Sequence, residues 1–175
     1  MRVRSVPAVG LDRFVESGGD PAHHGGVRRY LDAMFAAGSM RREWCFVAEE
    51  HGGPVGRIAF WTLPGMEEPL ALVLLGAPWG GDHRGTGARL LGRALEEARA
   101  LGAGGIEHVL DDPPMPPQFQ HHPEERIALL EGAGFSMRRE TGRFEWRGER
   151  PPAGTDRLSP SGRRRRSGRR RSWTR

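Results

Sequence analysis

A glycine-rich turn at the start of an amphipathic helix is the part of the sequence best suited to bind a phosphate. It follows the apolar run of residues 70–76 and a short loop, and it opens a helical pattern that reaches residue 101. The first amides of a helix have no intrahelical partner, the helix dipole favours an anion there, and glycine lets a phosphate approach the main chain. We expect anion binding by the main chain of six residues: His83, Arg84, Gly85, Thr86, Gly87 and Ala88.

Two common nucleotide-binding motifs are excluded at this turn. A Walker loop requires Gly-Lys-Ser/Thr, and the chain contains no lysine. A Rossmann fingerprint requires a small residue at its last position, where this chain has Leu90. That fingerprint also follows the first strand of its unit, whereas an antiparallel hairpin is predicted before this turn.

Two histidine pairs, His23–His24 and His121–His122, are the residues that most resemble metal ligands. Adjacent histidines on a loop rarely converge on one ion, and neither pair has the cysteine or His-x-x-x-His spacing of zinc sites. We therefore expect no bound metal. The place of His121 and His122 ahead of a predicted helix would instead allow them to line a substrate pocket.

Hydrophobic periodicity predicts strands and helices in alternation around the turn. Apolar residues recur at helical spacing in some segments and form short β-branched or aromatic runs in others. The predicted elements are a strand at 2–6, a helix at 27–37, a hairpin of 44–49 with 54–62, a buried strand at 70–76, a helix at 85–101, a strand at 105–110, a helix from Pro123 to Gly134, and a closing strand pair of 135–137 with 143–146 across a turn near 141–142. This order indicates an α/β (α+β) fold with a central mixed, mostly antiparallel sheet flanked by helices.

The last part of the chain differs in composition from the rest. Residues 151–175 contain nine arginines and one aspartate, so the net charge of +5 arises there and the first 150 residues are mildly acidic. So little apolar surface cannot offset the entropy lost when a chain is ordered. We expect one domain at 1–147 and a disordered arginine-rich tail at 148–175, which would bind nucleic acid only non-specifically through phosphates.

Cysteine content and hydropathy favour a cytoplasmic protein. Cys45 is the single cysteine, which excludes an internal disulfide framework. No run approaches the ~20 apolar residues that a membrane-spanning helix needs. The first ten residues lack the apolar core of a signal peptide. We therefore expect neither export nor a membrane partner.

The order of elements and two short motifs resemble the GNAT acetyltransferase superfamily. In that family the segment after the fourth strand carries Gln/Arg-x-x-Gly-x-Gly/Ala, and the stretch 82–87 matches both glycines but has Asp82 at the leading position. GNAT domains also place a helix before Gly-Phe, as in the stretch 129–135, where Leu130 occupies the position of a tyrosine found in many members. The stretches 108–120 and 139–146 look like an actinobacterial subgroup of the family.

The resemblance implies acetyl-CoA as co-substrate and a primary amine, on a small molecule or a peptide, as acceptor. The six residues of the turn would hold the pyrophosphate. A main-chain amide of Leu74, Leu75 or Gly76 would polarise the thioester carbonyl, as an oxyanion donor does.

An amine reacts only when neutral, so the resemblance also implies a general base. Six residues near the two central strands are candidates: Glu67, Glu68, Glu107, His108, Asp111 and Asp112. Successive strand residues point to opposite faces, so only one of Glu107 and His108 can face the cleft. We favour Asp111 and His108 as the catalytic residues.

Two other functions remain open from the sequence. The missing tyrosine and Asp82 favour a degenerate GNAT domain that does not catalyse transfer and acts in binding or protein interaction. The arginine-rich tail favours nucleic-acid binding, which would then be lost when residues 151–175 are removed.

Overall fold

The computed structural model describes residues 1–18, 20–81, 83–147 and 163–175. The strands in these ranges are β1 (Arg2–Ser5), β2 (Cys45–Glu50), β3 (Gly53–Trp61), β4 (Ala71–Gly76), β5 (Glu107–Asp112), β6 (Ser136–Arg147) and β7 (Arg163–Thr174). The α-helices are α1 (Val6–Val9), α2 (Leu11–Glu16), α3 (His24–Ala36), α4 (Ala88–Ala100) and α5 (Pro123–Gly132), with short 3₁₀ turns at Pro21–His23 and Arg42–Trp44.

The strands form one mixed sheet in the order β1-β2-β3-β4-β5-β7-β6. Every neighbouring pair is antiparallel except β4 and β5, which are parallel. The predicted fold class, with a mostly antiparallel mixed sheet flanked by helices, is confirmed. Within the described ranges no helix has the length and apolar character needed to cross a membrane.

Local sequence signals account for the elements that the sequence predicted. The hairpin of β2 and β3 turns at His51 and Gly52, whose φ angles of 49° and 83° suit a two-residue turn of the kind that joins antiparallel strands. Helix α5 begins with Pro123 and is followed by Gly134 at a φ of 84°, a left-handed conformation typical of helix ends.

The core has two parts, one on each face of the sheet. On one face α4 and α5 pack against the sheet, through residues such as Leu91, Leu95 and Leu130. On the other face α1, α2 and α3 cover it, through residues such as Phe14, Val27 and Leu31. Five of the six residues of β4 are buried, which explains why this strand is continuously apolar.

β4 and β5 separate soon after they begin to pair. Their register contains only Ala71 with Glu107 and Leu72 with His108. Beyond these pairs β4 carries a bulge against β3, because Ala59 pairs with Val73 whereas Arg57 pairs with Gly76. Leu74, inside the bulge, has a φ of 53°. The two parallel strands therefore leave an opening in the middle of the sheet.

The expected disordered tail is wrong for residues 163–175. Strand β7 lies between β5 and β6; it pairs with β6 along its length and with β5 from Arg169 to Thr174. Trp173 is only 3% exposed and belongs to the core on the face of α4 and α5. The strand is stable despite its low apolar content. Main-chain hydrogen bonds to both neighbouring strands and the burial of Trp173 stabilise it, and neither contribution is visible in the composition. Residues 148–162 lie outside the described residues.

The domain expected to end at residue 147 also includes residues 163–175, because β7 is part of the sheet. Deleting residues 151–175 would remove an interior strand, so that deletion does not isolate binding by a tail.

The predicted closing pair of 135–137 with 143–146 is also wrong. Residues 136–147 form the single strand β6, whose partner is β7 rather than its own other half. Thr141 and Gly142, expected at a turn, pair with Arg170 and Arg169 within the ladder. The chain does not turn there because β6 pairs along its whole length with β7, a strand that the composition did not predict.

We predict that Trp173→Ala lowers the free energy of unfolding by about 3–5 kcal/mol, as truncation of a buried tryptophan does. Urea denaturation measures the change. Arg169→Ala, an exposed position on the same strand, is the control and should change stability by no more than about 0.5 kcal/mol. Equal stability of both variants and the parent chain would mean that residues 163–175 do not belong to the folded domain.

Candidate active site

The opening between β4 and β5 is filled by side chains from the segment between β5 and α5 and from α5 itself. The main-chain amide of Leu74 donates a hydrogen bond to Oε1 of Gln118 at 3.1 Å. Nη1 of Arg126 donates to the carbonyl of Leu75 at 2.6 Å. Two main-chain groups of β4 next to the opening are therefore hydrogen-bonded by side chains of the protein itself.

His108 lies inside this arrangement and is fully buried. Its Nδ1 is 3.0 Å from the carbonyl oxygen of Leu72, and its Nε2 is 3.4 Å from Nε2 of Gln120. A carbonyl can only accept, so Nδ1 carries the proton and the bare Nε2 faces the amide of Gln120.

Burial lowers the pKa of His108 to about 4; the hydrogen bond to Leu72 opposes this and the nearby charge of Arg126 adds to it. The imidazole is therefore neutral at pH 7.

Gln120 ties this buried group to β5. Its Nε2 donates to the carbonyl of Val109 at 2.6 Å, and its Oε1 accepts from the amide of Asp111 at 3.0 Å. Gln120 thus takes the place of a neighbouring strand at this edge of β5, and it holds the main chain of Asp111 in position.

A pocket of about 340 Å³ lies on the α3 face of the sheet, beside the opening. Glu107 and Asp111 reach it together because they are four residues apart on β5 and share a face. Tyr30 and Trp61 supply aromatic walls, and Arg170 of β7 places its Nε 3.8 Å from Oδ1 of Asp111. Burial is the main cause that raises the pKa of Tyr30, so its phenol stays protonated at neutral pH.

The structure separates the two predicted catalytic residues. Asp111 lines the pocket, whereas His108 is enclosed on the other side of the strand and does not line it. The prediction that His108 is catalytic does not fit its burial. Among the other candidates Glu107 lines the pocket, and Glu67 is exposed and paired with Arg41 at 2.8 Å.

The predicted phosphate turn is the first turn of a longer helix. His83–Gly87 form a π-helical turn that continues directly into α4. The helix thus begins at the first residue of the predicted turn, two residues earlier than the periodicity indicated. A groove of about 670 Å³ runs between α4 and α5, with Arg84 and Ala88 among its lining residues together with Arg175.

Two buried arginines lie beside the end of β4. Arg126 also donates from Nε to the carbonyl of His121 at 2.6 Å, and its guanidinium lies 4.4 Å from the centre of the Trp79 ring. Arg57 donates to the carbonyl of Val15 at 2.6 Å. Burial lowers the pKa of Arg57 to about 10, and burial together with the charge of Arg57 lowers that of Arg126 to about 9. Both remain charged at neutral pH, which makes this end of β4 electropositive.

One histidine of each pair stacks on an aromatic ring, and the two rings are different. His23 stacks on Phe119 with ring centres 3.7 Å apart, and His122 stacks against Trp79 at 6.5 Å. In the part of the chain that the structure describes, no three His, Cys, Asp or Glu side chains are grouped to hold a metal ion.

Sequence reasoning missed Gln118, Gln120, Arg126 and Arg170. One signal could have found Arg126, which lies three and four residues before Leu129 and Leu130 on the buried side of α5 and so occupies a core position. The alternation of Gln118 and Gln120 in a proline-rich segment was a weaker signal. Arg170 could not be found because its strand was not predicted.

Comparison with known proteins supports the fold. No protein-family model and no curated protein sequence matches the chain. Among solved structures, it is similar to a GNAT-family protein from Desulfovibrio desulfuricans, with 18% identity, a TM-score of 0.60 and coverage of 99% of this chain and 95% of that one.

Two further similarities point the same way. The protein yncA from Salmonella typhimurium, solved with its cofactor acetyl-CoA, is 15% identical with a TM-score of 0.59, over 99% of this chain and 92% of that one. The ribosomal-protein-alanine N-acetyltransferase from Brucella melitensis is 18% identical with a TM-score of 0.55, over 100% and 99%. At such identities the likeness establishes the fold.

We predict that His108 makes stability depend on pH. The imidazole has an ordinary pKa of 6.5 and a folded pKa of about 4, so between these values the unfolded chain binds a proton that the folded chain does not. Its contribution is therefore complete above pH 6.5 and is lost as the pH falls towards 4, by about 3 kcal/mol in total.

Urea denaturation of the chain and of His108→Gln, from pH 7 to pH 4, measures this contribution. The difference in unfolding free energy between the two proteins should change by that amount, since other titrating groups are common to both. A difference that stays constant with pH would contradict a neutral buried imidazole.

Proposed function

We propose that this chain, which has the GNAT fold, is an N-acetyltransferase that moves the acetyl group of acetyl-CoA to a primary amine. The observation that carries the proposal is the opening between β4 and β5, which has the bulged main chain of β4 at its edge and the pocket of Asp111 on the α3 face. The donor enters on the side of α4 and α5, and the acceptor lies in the pocket.

The start of α4 and the groove beside it form the donor site. Main-chain amides of the turn at His83–Gly87 hold the pyrophosphate, where the helix dipole favours negative charge. Arg84 adds a cation at the same place, and the groove between α4 and α5 accommodates the nucleotide end. The amide of Leu74 polarises the thioester carbonyl, because the bulge directs that amide to Gln118 in the opening rather than into the sheet.

The transfer is a direct attack of the amine on the thioester carbon. Asp111 accepts a proton from the ammonium, which leaves a neutral amine. The new N–C bond forms, the C–S bond breaks, and its electron pair leaves with the sulfur. The nitrogen loses a second proton and the thiolate takes up one, so the products are the acetylated amide, free CoA thiol and one proton.

The family's tyrosine position offers no acid here. Leu130 at that position is fully buried and has no acidic group. The thiolate therefore takes its proton from water. Tyr30 lies on the acceptor face and, as a protonated phenol, can donate a hydrogen bond to the bound amine's neighbouring groups.

We predict that Arg84→Glu weakens CoA binding at least tenfold, because it reverses a charge beside the pyrophosphate site. Isothermal titration of CoA and acetyl-CoA into the full chain measures the dissociation constant. Arg29→Glu, an exposed arginine on α3, makes the same charge change on the other face and should leave binding within about twofold. Equal weakening in both variants would indicate a general charge effect and argue against the donor site.

A second candidate function is a GNAT-fold domain that does not catalyse transfer and acts in binding. The observation that favours it is that Gln118 and Arg126 already hydrogen-bond the main chain of β4 in the opening. An acyl donor that uses the Leu74 amide must displace the carboxamide of Gln118, whereas a domain without a donor would keep this arrangement permanently.

We predict that Gln118→Ala tightens acetyl-CoA binding about three- to tenfold, since a hydrogen bond worth about 1 kcal/mol no longer competes for the Leu74 amide. Gln118→Glu is the matched variant: it keeps an acceptor oxygen at the same place and should not tighten binding. The same titration distinguishes the two functions. Absence of acetyl-CoA binding in both the parent chain and Gln118→Ala would support the non-catalytic domain.

A further inference from the structure

A second pocket, of about 590 Å³, adjoins the acceptor pocket on the α3 face of the sheet. The two pockets share three lining residues, Glu107, Val109 and Arg170. They are therefore two ends of one groove, which we call the acceptor groove.

The register of the last three strands explains what the groove contains. Asp111 of β5 pairs with Arg170 of β7, which pairs with Thr141 of β6. One step along, Val109 pairs with Ser172, which pairs with Arg139. Paired residues share a face, so β7 brings its own side chains between those of β5 and β6 on the acceptor side.

A bulge adds one more arginine to this face. Met137 pairs with Trp173 and Arg139 with the adjacent Ser172, so Arg138 is the extra residue. Both Arg138 and Arg139 line the second pocket, and both are exposed. No ion pair joins either of them to another residue in the described ranges.

The two ends of the groove have opposite charge. Asp111 lines only the end next to the opening between β4 and β5, where the reacting amine must lie, and Glu107 lines both pockets where they meet. Arg138 and Arg139 line the far end, together with the hydroxyls of Thr141 and Ser172, and Arg170 stands between the two ends. Arginine forks and hydroxyl donors are the groups that bind carboxylate and phosphate oxygens.

We propose that the acceptor is an amine that also carries an anionic group, a carboxylate or a phosphate. Asp111 and Glu107 bind its ammonium, and Arg138, Arg139 and Arg170 bind its anion. This proposal rests on the proposed acetyl transfer and adds the substrate class. It also gives a role to the arginine-rich end of the chain, because Arg170 belongs to it.

Three small amines that share one spacer test the proposal: β-alanine, 2-aminoethyl phosphate and the neutral β-alaninamide. Release of CoA thiol by the full chain gives kcat/KM for each. We expect the better of the two anionic amines to exceed β-alaninamide at least tenfold, and the better one identifies the anion. The set is repeated with five-methylene spacers, since the anion must reach the far end.

The double variant Arg138→Gln with Arg139→Gln should reduce this preference to about threefold or less. Arg93→Gln with Arg99→Gln removes the same charge from α4, on the other face, and should leave the preference unchanged. Asp111→Asn should lower kcat/KM for all three amines by about 100-fold or more, as loss of a general base does. Equal kcat/KM for anionic and neutral amines at both spacer lengths would overturn the proposal.

Isothermal titration of the same amines distinguishes failure of the proposal from failure of the proposed function, because it needs no turnover. Tighter binding of the anionic amines, lost in the Arg138/Arg139 variant, supports the acceptor groove even if no amine is acetylated, and the acetyltransferase function is then contradicted. Turnover of all the amines without any difference in their binding would support the acetyltransferase function and contradict the acceptor groove.

Discussion

The requirement that buried main-chain groups be hydrogen-bonded governs the centre of this molecule. β4 and β5 pair at only two residues, and the strands then separate inside the sheet, where unpaired amides and carbonyls are costly. Gln118 and Arg126 satisfy β4, and Gln120 satisfies β5. Side chains of α5 and of the segment before it therefore take the place of a neighbouring strand, and a ligand's polar groups could replace them.

This substitution also explains the buried charges. Arg126 is held in the interior by hydrogen bonds to the carbonyls of Leu75 and His121 and by its contact with the face of the Trp79 ring. Because burial and Arg57 lower its pKa only to about 9, the guanidinium keeps its charge. The opening thus has buried guanidinium charge on the side of α5 and the carboxylates of Glu107 and Asp111 on the side of α3. This asymmetry fits the proposed anionic donor and ammonium acceptor.

β7 shows how a strand can be built from arginines. One of its faces buries Trp173 and directs Arg171 to Glu140 at 3.2 Å, while the other presents Arg170 to Asp111. The side chains of Arg169, Arg170 and Arg171 are 47%, 57% and 24% exposed, so their charges stay near water. The main chain meanwhile gains hydrogen bonds on both edges. The strand therefore adds stability to the sheet and positive charge to its α3 face.

Signals that act over a few residues could be read from the sequence by itself. They include the hairpin turn at His51–Gly52, the apolar run of β4, the stripe of α4, and the proline and glycine that bound α5. The alternation of side chains along β5 also limited which of Glu107 and His108 could face a cleft. These features depend on main-chain preference and periodicity, which a single segment carries within itself.

Only the tertiary structure decided the rest. That β7 enters between β5 and β6, that Gln118 and Gln120 fill the opening, and that His108 lies inside rather than in the pocket all depend on contacts between distant segments. Composition suggested disorder for β7 because the hydrogen-bonding partners that hold it lie on β5 and β6, far away in the chain. A pattern within one segment cannot show what another segment offers it.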